Sequence, residues 1–290
     1  MFKGSIVAIV TPFNKGKVDF EKLRELVEFQ IAGGTDAIVP CGTTGEASTL
    51  DYDEHMDVIK TVISQVKKRV PVIAGTGSNS TQEAIELSQK AKEAGADGVL
   101  LVTPYYNKPT QEGLVRHYNA IAEAVAIPQI LYNVPGRTGV NMLPETVARI
   151  AVQKNVVAIK EATGSLQQAS EILALCGERI DVLSGDDFIT FPMMACGAKG
   201  VISVLANIMP KAVGDLVDAF FAGDLEKARQ IHLQTLKIGN AMFIESNPIP
   251  VKTALGLMGK CSDEVRLPLC EMGAGNKAKL ASIMKEYNLI

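Results

Sequence analysis

One lysine stands where a buried apolar run ends. Lys160 closes Val156-Val157-Ala158-Ile159, and a lysine at a buried strand end is costly unless it is paired or neutral. A neutral amine attacks a carbonyl, whereas an ammonium cannot. At the ordinary lysine pKa of about 10.4, roughly one molecule in 2,500 is uncharged at pH 7. An apolar wall penalises the charged form and shifts that balance toward the free amine. The imine formed by such an amine is, once protonated, an electron sink for a carbanion at the neighbouring carbon. The competing account of Lys160 is a structural ion pair with Glu161 or Glu46. Strand alternation turns Glu161 to the opposite side from Lys160, which weakens the first pairing. Ionisable groups buried in clefts are enriched at active sites, and the functional reading is preferred.

Imine chemistry needs a proton shuttle. Tyr132 ends the run before that of Lys160, and neighbouring parallel strands lie about 4.8 Å apart, so the two tips should meet. A phenol both donates and accepts a proton. A tyrosine packed for its ring alone is the bland alternative. Gly42-Thr43-Thr44-Gly45-Glu46 follows the second apolar run. Small residues let backbone N–H groups converge on an anion, and two hydroxyls add donors, which suits a small carboxylate. Ordinary turns use the same residue types. Arg137, in Gly136-Arg137-Thr138-Gly139, could fork onto a second carboxylate; taken alone it reads as a surface arginine. Most of the other lysines fall on expected helix faces or loops, where a solvated charge is the default.

The elements that must carry these residues alternate in texture. Eight short apolar runs, 6–10, 37–39, 72–74, 99–102, 129–132, 156–159, 182–184 and 201–205, alternate with segments of helical period. Their near-continuous hydrophobicity suits parallel strands covered on both faces. Asp19 can cap the first helix, which should end at Gly33-Gly34. Met56, Ile59, Val62, Ile63 and Val66 stripe the second. Ser80 and Glu83 stand at capping-box spacing before the third, which should stop at Gly95. Later helices are expected over 112–126, 144–151, 165–175, 188–196 and from Pro210 to before Gly223. Eight such units over residues 1–223 fit a (β/α)₈ TIM barrel, with an open doubly wound sheet as the rival. Residues 224–290 read as an appended C-terminal helical region, with helices over 224–244, 250–258 and 277–287. A barrel gathers the C-terminal strand ends at one mouth, and hydroxyls, glycines and Lys160 are what those ends present.

Composition excludes other classes. The chain has 290 residues and a formal net charge of −3, with no basic run to neutralise a row of phosphates, so nucleic acid is not expected as a partner. The longest apolar runs are too short to cross a bilayer. The N-terminus carries no signal-peptide pattern, which points to a cytoplasmic protein. The 5 cysteines are odd in number and match no zinc spacing, and they read as reduced thiols. The 3 histidines are far apart with no HExxH pair, so no metal site is expected.

With Lys160, Tyr132 and the Gly-Thr-Thr-Gly-Glu turn in place, the chain resembles the dihydrodipicolinate synthase family, within the pyruvate-dependent class I aldolase and N-acetylneuraminate lyase superfamily. The likeness runs from about Ser5 to the last helix. GTTGE (42–46), TPYYNKPTQEG (103–113), YNVPGRTG (132–139), IKEATG (159–164), LSGDD (183–187) and GVISVLAN (200–207) match in order and spacing. The resemblance implies an imine between pyruvate and Lys160 with no cofactor. The enamine then attacks L-aspartate 4-semialdehyde, giving 4-hydroxy-tetrahydrodipicolinate for lysine and diaminopimelate biosynthesis. It implies a proton relay of Thr43, Tyr106 and Tyr132, with Tyr106 reaching a neighbouring subunit of a homotetramer, a dimer of dimers. Thr44 and Ile202 are implied to hold the pyruvate portion with Gly185 close by, and Arg137 the second carboxylate. A feedback site for L-lysine is implied at Ala47, Ser48, His55, Asn79, Glu83 and Tyr105, where Tyr52 departs from the histidine of some inhibited members. Two rivals stand beside this reading. One is another pyruvate-dependent aldolase such as a sugar-acid lyase, which differs in the loop around Arg137. The other is a non-catalytic keto-acid sensor, which the joint presence of Lys160, Tyr132, Thr43 and Tyr106 disfavours. A phosphate-binding barrel is weaker still, because the loops at 185–187 and 206–207 bring acid and no glycine-rich cradle.

Overall fold

The computed structural model describes residues 2–290. Eight parallel strands alternate with helices: β1 (Gly4–Ala8), β2 (Ala37–Val39), β3 (Ile73–Gly75), β4 (Gly98–Val102), β5 (Gln129–Asn133), β6 (Val156–Glu161), β7 (Asp181–Ser184) and β8 (Gly200–Ser203). The helices are α1 (Phe20–Ala32), α2 (Tyr52–Val66), α3 (Thr81–Ala94), α4 (Gln111–Ala124), α5 (Pro144–Ile150), α6 (Leu166–Cys176), α7 (Thr190–Cys196) and α8 (Pro210–Phe221). Strand order is β2-β1-β8-β7-β6-β5-β4-β3. A parallel bridge from Ile38 to Val72 joins the two outer strands and makes the sheet a barrel. That closure rules out the open doubly wound sheet.

The strands look apolar throughout because alternate residues enter two different cores. Ile6, Ala8, Ala37, Val39, Ile73, Leu100, Ile130, Ala158, Leu183 and Ile202 fill the barrel interior. Val7, Ile38, Ala74, Val99, Leu131, Ile159, Val182 and Val201 pack outward among the helices. Burying each of the larger side chains is worth roughly 1.5–3 kcal/mol. The same alternation continues along β6, so Lys160 follows Ala158 to the interior side and Glu161 follows Ile159 outward.

Local signals set most boundaries. The Asp19 side chain accepts from the Lys22 amide at 3.0 Å and starts α1. Pro210 opens α8. The expected capping box at α3 forms only by half. Ser80 accepts from the Glu83 amide at 3.4 Å, but the Glu83 carboxylate bonds the Ser78 hydroxyl instead of returning to the cap. The complete box lies on α2, where Asp51 and Glu54 cap each other reciprocally. β8 stops at Ser203, short of the expected Leu205, because 205–207 turn into a 3₁₀ helix. The Asp187 carboxylate holds that turn by accepting from the Val204 and Leu205 amides at 3.0 and 2.9 Å. Residues 187–189 are likewise 3₁₀, so α7 begins at Thr190 and not at Phe188.

Three further helices follow: α9 (Leu225–Ala241), capped by Asp224, α10 (Ile249–Leu257) and α11 (Ala274–Glu286). α9 packs along α8, and α11 rests against α9 and α10. No helix of the described residues is long and apolar enough to cross a membrane.

Candidate active site

Tyr132 and Lys160 are register partners on β5 and β6. Both are buried, at 6% and 5% exposure, and the Lys160 Nζ stands 4.3 Å from the centre of the Tyr132 ring. Neither carboxylate weighed as a structural partner for Lys160 is free to serve. Glu161 lies on the outer face, accepting from Asn133 Nδ2 (3.1 Å), the Thr163 amide (2.8 Å) and Gln168 Nε2 (3.3 Å). Glu46 is paired with Lys252 at 2.7 Å. Among the described residues Lys160 has no direct ion-pair partner. Two carboxylates on the loop after β7 act on it at longer range. Burial pushes Asp186 up to about 6 against the pull of the Lys160 charge, and burial also raises Asp187.

The turn after β2 has the features of an anion nest, with a refinement. The Gly45 and Glu46 amides are used within the turn, donating to Gly42 O and Thr43 O at 3.1 Å each, while the Thr43 and Thr44 amides bond none of the described residues. Those two amides and their hydroxyls are the donors left for a small carboxylate. Gly45 is needed by space, since a Cβ there would stand 3.0 Å from the Cys41 amide nitrogen. Gly185 is likewise fixed by packing: an added Cβ would lie 2.5 Å from the Ala162 Cβ. Ile202 is fully buried in the barrel interior beside this region.

Arg137 sits on a helical turn, Pro135–Thr138, after β5. It donates to Asn247 O at 3.2 Å and has no ion-pair partner among the described residues, so its charge is open to a ligand. Thr43, Tyr132 and Arg137 all line one cavity of about 400 Å³. Tyr106 does not. It is 90% exposed and holds φ +71°, a strained conformation for an aromatic residue.

Ala47, Ser48, His55, Glu83 and Tyr105 line the same cavity farther along, together with Tyr52. His55 bonds Gly75 O at 2.7 Å, and burial lowers its pKa. Asn79 is not on the wall and instead donates to Tyr105 O at 3.2 Å. Among the described residues no cluster of His, Cys, Asp and Glu has metal-site geometry.

The model of the Dihydrodipicolinate synthetase family matches residues 1–287. The chain belongs to that family. It is 90% identical to the 4-hydroxy-tetrahydrodipicolinate synthase of Geobacter metallireducens, over 100% of both chains. Among solved structures, the chloride-inhibited dihydrodipicolinate synthase of Acinetobacter baumannii complexed with pyruvate is 49% identical, with a TM-score of 0.98 and 100% of each chain covered. The enzyme of Cyanidioschyzon merolae with lysine bound is 40% identical, with a TM-score of 0.97, covering 100% of this chain and 99% of that one. The chain is a lyase that condenses pyruvate with L-aspartate 4-semialdehyde to give 4-hydroxy-tetrahydrodipicolinate.

Two residues of the site escaped sequence reasoning. Asn247 donates from Nδ2 to Thr44 Oγ1 at 3.0 Å while its carbonyl takes the Arg137 bond, so it links the loops after β2 and β5. Lys252 is fully buried, an exception within the expectation that most of the other lysines are solvated. Its signal was available: it is the one charged residue in Ile249–Leu257, an otherwise apolar helix. Asn247 belongs to no periodic pattern and left no such trace.

Proposed function

We propose that Lys160 is the covalent nucleophile of the condensation. Its amine attacks the keto carbon of pyruvate, water leaves, and a protonated imine forms. Loss of a methyl proton gives the enamine, whose carbon attacks the aldehyde of L-aspartate 4-semialdehyde. The amino group of the adduct then displaces Lys160 from the imine carbon and closes the ring. The electron sink is the iminium itself, so the scheme calls for no metal and no organic cofactor. The observation that carries this reading is a buried lysine lacking a carboxylate partner, set beside a tyrosine on the neighbouring strand.

Tyr132 and Thr43 are assigned the proton transfers, with Tyr106 completing the relay in the mouth of a neighbouring subunit. The 90% exposure of Tyr106 supports a role outside its own cavity, and a homotetramer built as a dimer of dimers supplies that neighbour. Thr44 and Ile202 hold the pyruvate portion with Gly185 close by, and Arg137 takes the carboxylate of the semialdehyde. L-Lysine is the feedback ligand assigned to Ala47, Ser48, His55, Asn79, Glu83 and Tyr105. The Glu83 carboxylate suits its ammonium, and Tyr52 brings a buried hydroxyl with no partner among the described residues. The enzyme is assigned to the cytoplasm, in keeping with its 5 free cysteines.

A coupled assay tests the substrate pair. Turnover with pyruvate and L-aspartate 4-semialdehyde, and none in the cleavage of N-acetylneuraminate, is the expected result. Cleavage of the sugar acid at a comparable rate would overturn the assignment.

A further inference from the structure

Three contacts from one C-terminal stretch converge on the turn after β2. Asn247 Nδ2 donates to Thr44 Oγ1 (3.0 Å), Lys252 Nζ to Glu46 Oε1 (2.7 Å), and the Arg266 amide to Glu46 Oε2 (3.1 Å). The side chains of Lys252 and Glu46 are 0% and 1% exposed. Lys252 Nζ also donates to Thr11 O at 2.9 Å, and the Thr11 hydroxyl donates to Gly45 O at 2.7 Å. The Phe13 ring takes two cations, with Lys252 Nζ at 4.0 Å and the Arg266 Cζ at 4.4 Å from its centroid. Glu46 itself holds φ +53°, a left-handed conformation that its surroundings must enforce.

A buried ion pair is a poor device for stability alone. Desolvation offsets most of the Coulombic attraction, and apolar side chains of similar volume often serve as well. A fully bonded buried pair does restrict geometry. The geometry restricted here is that of Thr43 and Thr44, which Gly45 alone separates from Glu46.

We infer that Lys252 and Glu46 are positioning residues for the pyruvate half of the reaction: their ion pair locks the Thr43–Thr44 turn so that its free amides and hydroxyls keep one arrangement around the keto acid. This rests on the roles proposed above for those two threonines. Lys252 acts only through Glu46 and the turn.

Removing one partner leaves a buried charge unpaired, which confounds positioning with stability. The double substitution K252M/E46Q removes both charges and keeps an acceptor for the Arg266 amide. The measurements are its thermal midpoint, steady-state constants for both substrates, and borohydride trapping with pyruvate beside the wild type. The expected result is a midpoint close to wild type with kcat/KM for pyruvate about 10²-fold lower, since a misplacement near 1 Å has that effect. The semialdehyde KM should change far less. A folded double variant with wild-type kcat/KM overturns the inference. If the double variant does not fold, E46D decides, because it keeps both charges and shortens the tether between the turn and Lys252 by one methylene. A rise in pyruvate KM of about 10-fold is then expected from the displaced turn, and an unchanged KM overturns the inference. A wild-type enzyme that traps no pyruvate contradicts the role of Lys160 instead, and does so before any substitution is made.

Discussion

Two lysines are buried in this protein, and they are buried differently. Lys252, on the C-terminal helix α10, meets a carboxylate at 2.7 Å and a carbonyl at 2.9 Å. Lys160, at the barrel mouth, meets a tyrosine ring and no carboxylate in direct contact. The first arrangement keeps an ammonium satisfied and fixes a turn. The second leaves an amine available for chemistry. Burial alone therefore does not mark a catalytic lysine; burial without a partner at a strand end of the barrel is what supports the role proposed for Lys160.

The largest effect expected from this contrast is at Lys160. K160R should lose at least about 10⁴-fold in kcat/KM, as removal of a covalent nucleophile does. K160M should unfold at or above the wild-type temperature, since it replaces a buried amine that has no carboxylate partner with an apolar side chain. A clear drop in the midpoint of K160M would erase the distinction between the two lysines. At Lys252 the sign of the stability change reverses. K252M leaves Glu46 buried alone and should cost about 3–5 kcal/mol in urea unfolding.

Arg137 sharpens the comparison from the substrate side. R137A should raise the KM of the semialdehyde roughly 10- to 100-fold, the worth of a charge-assisted contact, while pyruvate trapping proceeds as before. Equal losses for both substrates would mean that Arg137 serves the turn through Asn247 and not the second carboxylate.

The smallest effect is electrostatic. Burial raises Asp186 from 3.8 to about 6, so between these values the folded protein holds a proton that the unfolded chain has released. The stability tied to that proton is present below about pH 4 and is lost as pH rises through about 6. Relative to D186N, the wild type should lose stability over that interval in urea melts at stepped pH. Parallel curves would show that Asp186 does not titrate there.

The barrel was legible because its strands are apolar on both faces, and the strand-end residues were legible because a barrel presents such ends at one mouth. Lys160 and Tyr132 needed only strand alternation and adjacency to be placed together. The contacts of Asn247 and Lys252 with the turn after β2 were not legible, because these residues meet their partners 203 and 206 residues away in sequence. No local pattern encodes contacts of that span. The failed box at α3 has a local cause: Ser78, two residues before the cap, competes for the Glu83 carboxylate.

The central claim is that the unpartnered lysine, and not the paired one, carries the substrate. Incubation with pyruvate and borohydride, followed by peptide-resolved mass spectrometry, tests it in one step. A single reduced pyruvate adduct is expected on the peptide bearing Lys160 and none on the peptide bearing Lys252. An unmodified Lys160 in enzyme inactivated by that treatment would contradict it.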